Sequence, residues 1–236
     1  IKITVAVGSQ RKDYYLHCIP EQFPTISVSE QSDAVDSGFL LLSPRMQGKS
    51  YLLILDNNGV PRYRKIVDGV ASEFKRHPDG RYSYVRRLGR NEFGHFDNEI
   101  VILDAQFSEQ TTVRTVGLNH TDSHDFLITP EGNYLLMSYN SAYRDLSPWG
   151  LSQSELTRDS VIQEITPDGN VVFEWNSWDH VDVGDCLNHR FPDDYAHINS
   201  FQVSADENLV ASLRGCSMVL KIERPSGRTL WDLGGF

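Results

Sequence analysis

Short stretches of alternating or uniformly apolar positions, four to eight residues long by eye, run along almost the whole chain; helical spacing is nearly absent. Ile1–Val7 alternates apolar with polar residues, which predicts a half-buried strand. Between the runs one turn chemistry recurs. It stands at Asp56-Asn57-Asn58-Gly59, His77-Pro78-Asp79-Gly80, Thr129-Pro130-Glu131-Gly132, Thr166-Pro167-Asp168-Gly169 and Arg224-Pro225-Ser226-Gly227. Proline sets the first central φ, and glycine takes the positive φ that follows. Apolar and aromatic residues flank these turns, as in Asn133–Met137 and Asn170–Trp175, so each reads as a hairpin.

Two hairpin types alternate. One has an apolar strand, a Pro-acid-Gly turn and a Tyr-Leu strand, at Phe126–Leu136 and, with Ala205-Asp206-Glu207-Asn208 as its turn, at Phe201–Val210. The other closes on tryptophan, at Val161–Trp175 and Val219–Trp231. Each pair makes a four-stranded unit that repeats at blade spacing, so the pattern predicts an all-β fold, a β-propeller. A β-sandwich would have no reason to repeat two hairpins in fixed order. Two insertions, Asp145–Arg158 and Trp178–Asp194, interrupt the repeat and are expected on the face that carries function. At least three units are countable, fewer than a closed ring needs. A ring of six blades, continued beyond this stretch, is therefore expected. Residues 1–20 read as the tail of a preceding β-sandwich module or a linker, and residues 21–236 as the propeller.

Composition narrows the function. The chain of 236 residues carries a formal charge of −10. That charge gives no footprint for a nucleic acid, and an anionic substrate would need a local cationic pocket. The longest apolar runs, Phe39–Leu42 and Tyr51–Leu55, are too short to span a bilayer. Cys18, Cys186 and Cys216 show no C-x-x-C spacing, so no zinc or redox motif is indicated. A Cys186–Cys216 disulfide is conceivable, but two free buried thiols are the expectation. Asn119-His120-Thr121 is a glycosylation sequon, meaningful in a secreted eukaryotic protein.

Histidines point to a site. His124 precedes the strand beginning at Phe126, and His197 precedes the equivalent strand of the next unit. Residues at one blade position converge on the propeller axis although distant in sequence. Asn199 would share a side of the strand with His197 by alternation. Arg214 closes the following strand. His95, ahead of Glu99–Leu103, could reach the same pocket. A structural role competes for His124-Asp125, which could stitch blades together by hydrogen bonds. His77 reads as part of a surface turn, and His17, His180 and His189 as solvated.

Ser123-His124-Asp125-Phe126, Asp145-Leu146-Ser147-Pro148-Trp149-Gly150, Asp194-Tyr195-Ala196-His197-Ile198-Asn199-Ser200, Ser212-Leu213-Arg214 and Leu230-Trp231-Asp232-Leu233-Gly234-Gly235 together resemble the arylsulfotransferase family. The resemblance runs from about Phe23 onward. It implies PAPS-independent transfer of a sulfuryl group from an aryl sulfate ester to a phenol, through a sulfated histidine, without cofactor or metal. It places His124, His197, Asn199 and Arg214 on positions that bind and stabilise the sulfuryl group, with His124, His197 and Arg214 catalytic and Asn199 binding substrate. His95 is added as a substrate-binding residue from its place ahead of a blade strand, not from the resemblance. A periplasmic or extracellular setting follows from the same resemblance. The family's attacking histidine follows the Leu-Gly-Gly segment, so it is expected past residue 236, and residues 1–236 alone are expected to be inactive. No G-x-x-x-x-G-K-[ST] loop is present, in keeping with a donor that is not a nucleotide. Two other readings stand beside this one. A non-catalytic propeller that binds a ligand would keep the fold without the chemistry. A metal-dependent hydrolase would use His120, His124 and His197 with Asp122 or Asp194.

Overall fold

A computed structural model describes residues 2–16, 18–19, 23–30, 32, 34–94, 96–186 and 192–235. Each predicted turn joins two neighbouring antiparallel strands. The first hairpin, β1 (Lys2–Val7) and β2 (Gln10–Tyr15), stands as a two-stranded sheet of its own. Next come β3 (Phe39–Leu42), β4 (Arg45–Met46), β5 (Lys49–Asp56) and β6 (Pro61–Val67), in which β5 pairs with the other three. Three regular four-stranded meanders follow. They are β7 (Ala71–Arg76) to β10 (Glu109–Val113) through β8 (Tyr82–Arg90) and β9 (Phe96–Leu103); then β11 (Phe126–Ile128), β12 (Tyr134–Arg144), β13 (Glu155–Ile165) and β14 (Val171–Asn176). The last holds β15 (Ile198–Val203), β16 (Leu209–Leu213), β17 (Met218–Ile222) and β18 (Thr229–Gly234). The four sheets are arranged as the blades of a β-propeller.

Why the strands read as apolar runs becomes clear from the packing. Along β12, Leu135 and Met137 pack toward the fourth blade with Ile198, Leu209 and Leu220. Tyr134 and Leu136 turn the other way, onto Val85, Ile100 and Ile102 of the second blade. Both faces of a middle blade are buried, so neither set of alternating positions is polar. Burial of one such leucine stabilises the fold by about 1.5–3 kcal/mol. The turns behave as their chemistry requires. Gly80, Gly132, Gly169 and Gly227 all have positive φ, and Glu207 takes that conformation (φ 66°) in the Ala205–Asn208 turn that lacks a glycine.

Several expectations are corrected. All six residues of β1 are exposed, because the hairpin pairs only within itself, so the expected half-burial of Ile3, Val5 and Val7 is absent. His77 is not at the surface: it is 2% exposed, its Nε2 lies 2.8 Å from Ser83 Oγ, and its ring meets the Phe126 edge. Cys186 and Cys216 are joined in a disulfide, and only Cys18 is free. The first insertion is shorter than its polar composition suggested. β12 and β13 pair continuously from Tyr134↔Ile165 to Arg144↔Glu155, which leaves a short loop with one 3-10 turn, Ser147–Trp149. Among its described residues the second insertion holds three short helical turns, and Trp149 donates from Nε1 to Asp182 Oδ1 (3.2 Å), joining the two insertions.

Candidate active site

The first strands of successive blades meet at Asp125. Its Oδ1 accepts from Lys75 Nζ on β7 (2.6 Å) and from its neighbour Phe126 N (2.9 Å), while Oδ2 accepts from Phe201 N on β15 (3.1 Å). One carboxylate thus ties three blades together, and this is the stitching role weighed for the His124-Asp125 pair. His124 is left for something else.

The buried Asp122 accepts at Oδ2 from the His124 backbone N–H (2.7 Å) and from His124 Nδ1 (2.8 Å). That hydrogen bond holds the His124 imidazole above its ordinary pKa, against the opposing effect of burial, with the charges of Asp122, Glu73 and Asp194 adding to it. With Nδ1 committed, Nε2 is the atom that remains for a ligand. His197 is held in the same manner, since its Nδ1 lies 2.5 Å from Asp194 Oδ2. Its Nε2 receives a hydrogen bond from Arg214 Nη1 (3.2 Å). A guanidinium can only donate, so this pairing assigns His197 as the neutral tautomer with its proton on Nδ1.

Local backbone geometry makes these contacts possible. His197 has φ 44°, a left-handed conformation that costs a side-chain-bearing residue on the order of 1 kcal/mol. Backbone bonds from Arg214 N to His197 O and from Gly215 N to Ala196 O, both 2.9 Å, hold it there. The approach is so close that a Cβ at Gly215 would lie 2.0 Å from Tyr195 O. Only glycine fits beside Arg214. One residue further on, Cys216 is bonded to Cys186, which pins this corner to the second insertion.

The rings of His124 and His197 stand 5.5 Å apart, edge to face, and both contact Tyr139. Tyr139 is buried and donates its hydroxyl to Ile198 O (2.5 Å), and burial raises its pKa far above the ordinary range. His120 stacks on the same ring from a buried position. Arg158 reaches in from β13 to Asp193 (2.9 Å) and Asp194 (3.6 Å). A recess of about 310 Å³ opens here, lined by His120, Asp122, His124, Tyr139 and Arg158 together with Arg90 and Phe96. A larger recess of about 730 Å³ lies at the opposite, turn-bearing ends of the strands. Its wall carries Glu131, Glu164, Asp206, Glu207 and Glu223, which repel an anionic ester.

The structure therefore brings His124, His197 and Arg214 together. Asn199 falls elsewhere in the pattern: it sits half-buried at a bulge between Ile198 and Ser200, so alternation from His197 does not run through it. Its side chain makes no hydrogen bond to a described residue. His95 lies outside the described residues, as do His17 and His189. Among the described residues no three of His, Cys, Asp or Glu are grouped to hold a metal ion, so His120, His124 and His197 do not form a ligand set. Sequence reading underrated Asp122 and Asp194, which it considered only as metal ligands. Their spacing before each histidine, two and three residues, was the available signal. Tyr139 and Arg158 gave none, because they enter from other strands.

The family pattern described as Arylsulfotransferase (ASST) matches residues 93–236, which take in His124, His197, Arg214 and their supports Asp122 and Asp194. The chain belongs to the arylsulfotransferase family. No curated protein matches it. Among solved structures, a protein of unknown function from Bacteroides caccae is similar at 12% identity with a TM-score of 0.50, over 84% of this chain. The chain spans 58% of that protein's length, and the likeness shows a shared fold. Family membership and the propeller fold are the context in which the paired histidines stand.

Proposed function

We propose that the site performs PAPS-independent transfer of a sulfuryl group from an aryl sulfate to a phenolic acceptor, through a sulfohistidine. The observation that carries this reading is the cluster itself: two imidazoles on carboxylate supports, 5.5 Å apart, with Arg214 on one of them. A histidine attacks sulfur, the bond from sulfur to the aryl oxygen breaks, and the phenolate leaves. A phenol then takes the sulfuryl group from the imidazole. Charge gathers on the sulfuryl oxygens and on the departing oxygen, so donors aimed at both supply the stabilisation. Arg214 makes no ion pair with a described carboxylate and has N–H groups to spare for the sulfuryl oxygens. His124, whose proton is held more firmly beside Asp122, gives its Nε2 proton to the phenolate in this reading. The attacking histidine is assigned by family resemblance to sequence past residue 236. The disulfide supports a periplasmic or extracellular setting.

Turnover of 4-nitrophenyl sulfate with a phenol acceptor by the full-length protein tests the assignment. Arg214→Lys is expected to lower kcat by about 100-fold or more, since an ammonium cannot reproduce a planar two-donor grip. Near-normal kcat would remove Arg214 from the chemistry. Residues 1–236 incubated with the same ester should gain no sulfate by mass. A sulfated His197 would make that residue the nucleophile instead.

A further inference from the structure

The recess has a second cationic wall that the transfer reaction does not use. Arg87 and Arg90 lie on β8, three residues apart, and would face opposite sides of a regular strand. A register shift between Arg87 and Gly89 resets the alternation. Both guanidinium groups consequently sit over one ring, that of Phe96, at 3.6 and 4.0 Å from its centre. Arg90 and Phe96 line the recess that holds His124 and Tyr139.

These arginines lack what other arginines of the chain have. Arg86, Arg114 and Arg144 each hold a carboxylate within 2.7 Å. Neither Arg87 nor Arg90 forms an ion pair with a described residue, and Arg87 Nε is buried without a hydrogen-bond partner. Arg90 Nη1 donates to the Gly94 carbonyl, which does not neutralise it. Burial, with Arg45 and Arg90 nearby, lowers the pKa of Arg87, so positive charge is crowded here without compensation in a chain of net charge −10. Stacked guanidinium groups keep their N–H edges available for an anion.

We propose that Arg87, Arg90 and Phe96 form a ring-and-anion subsite that takes a carboxylate borne on the aromatic ring of the substrate. The edge of Phe96, whose faces the guanidinium groups cover, meets the substrate ring, the arginines hold the carboxylate, and the sulfuryl end points to His124. The substrate class is then carboxylated aryl sulfates and phenols. This rests on the transfer reading only for the word substrate, because the subsite is a binding claim. Both arginines precede the segment matched to the family pattern, so the subsite is a feature of this chain's own second blade.

Calorimetric binding of 4-sulfobenzoate and benzenesulfonate, which carry sulfonates that cannot be transferred, tests it on the full-length protein. 4-Sulfobenzoate should bind about tenfold more tightly, the worth of one charge-assisted hydrogen bond. In Arg90→Gln, an exposed position where folding is safe, the ratio of the two affinities should fall to near one. Arg87→Gln should do the same if its circular dichroism is unchanged. No preference in the wild type, or an equal preference in Arg90→Gln, overturns the subsite. A preference lost in Arg90→Gln alongside no turnover of any aryl sulfate supports the subsite and removes the transfer reading.

Discussion

Asp122 accepts from both the backbone and the ring of His124, and the raised pKa that results has a direction in pH. An imidazolium with a raised pKa stays protonated further into the alkaline range, and acid catalysis is lost as pH rises through that value. Asp122→Asn should therefore move the alkaline limb of kcat/KM to lower pH. An unmoved limb in a pH–rate profile would separate His124 from proton transfer. His77 shows the opposite effect. Burial first, then Lys75, takes its pKa from 6.5 down to about 4, so the native state resists a proton that the unfolded chain accepts. The sign follows: its contribution to stability is intact above pH 6.5 and is lost as pH falls toward 4. Between pH 7 and pH 5 the loss is roughly 2 kcal/mol. His77→Gln, which keeps a partner for Ser83, should remove about that much of the pH dependence in urea titrations at the two pH values.

At the scale of elements, the corner from His197 to Cys216 is built from constraints that act together. A left-handed His197, two backbone bonds, a glycine against Tyr195 O and a disulfide all converge on the contact between Arg214 and His197. The disulfide closes a separation of 30 residues, which the chain-entropy account values at about 3–4 kcal/mol. Cys186→Ser should lower stability by an amount of that order in denaturant titration. Reduction of the wild type should do the same, and reduction of the variant should add nothing. If the reduced wild type melted unchanged, the bond would be no restraint on the fold. Hairpins were legible at this scale because their turns are chemical: proline and glycine specify φ locally. The bulge at Asn199 was not, since it arises where β15 must fit β16 while still delivering His197 to Arg214.

Across the whole molecule, blades are held by alternating apolar faces and by Asp125, the carboxylate shared among three of them. Asp125→Ala would leave Lys75 with only Glu73 at 3.3 Å and the Phe201 N–H without its acceptor. Removing a half-buried, hydrogen-bonded charge in this way costs about 2–3 kcal/mol. The melting temperature of Asp125→Ala should fall accordingly, and Asp125→Asn should recover part of the loss. A neutral Asp125→Ala would mean that apolar packing alone sets how the blades meet.

By itself the sequence determined the hairpins, their grouping into blades and the placing of His124 and His197 at equivalent positions, because turn geometry and strand alternation are local properties. Arg214, at the end of the following strand, joined them through the family resemblance and not through repeat position. The tertiary structure decided what each histidine rests on, which cysteines pair, that His77 is buried and that Arg87 and Arg90 share a ring. Each of those depends on the distance between strands that are remote in sequence. Local pattern specifies which way a side chain leaves its strand; only the packing of blades specifies what it meets.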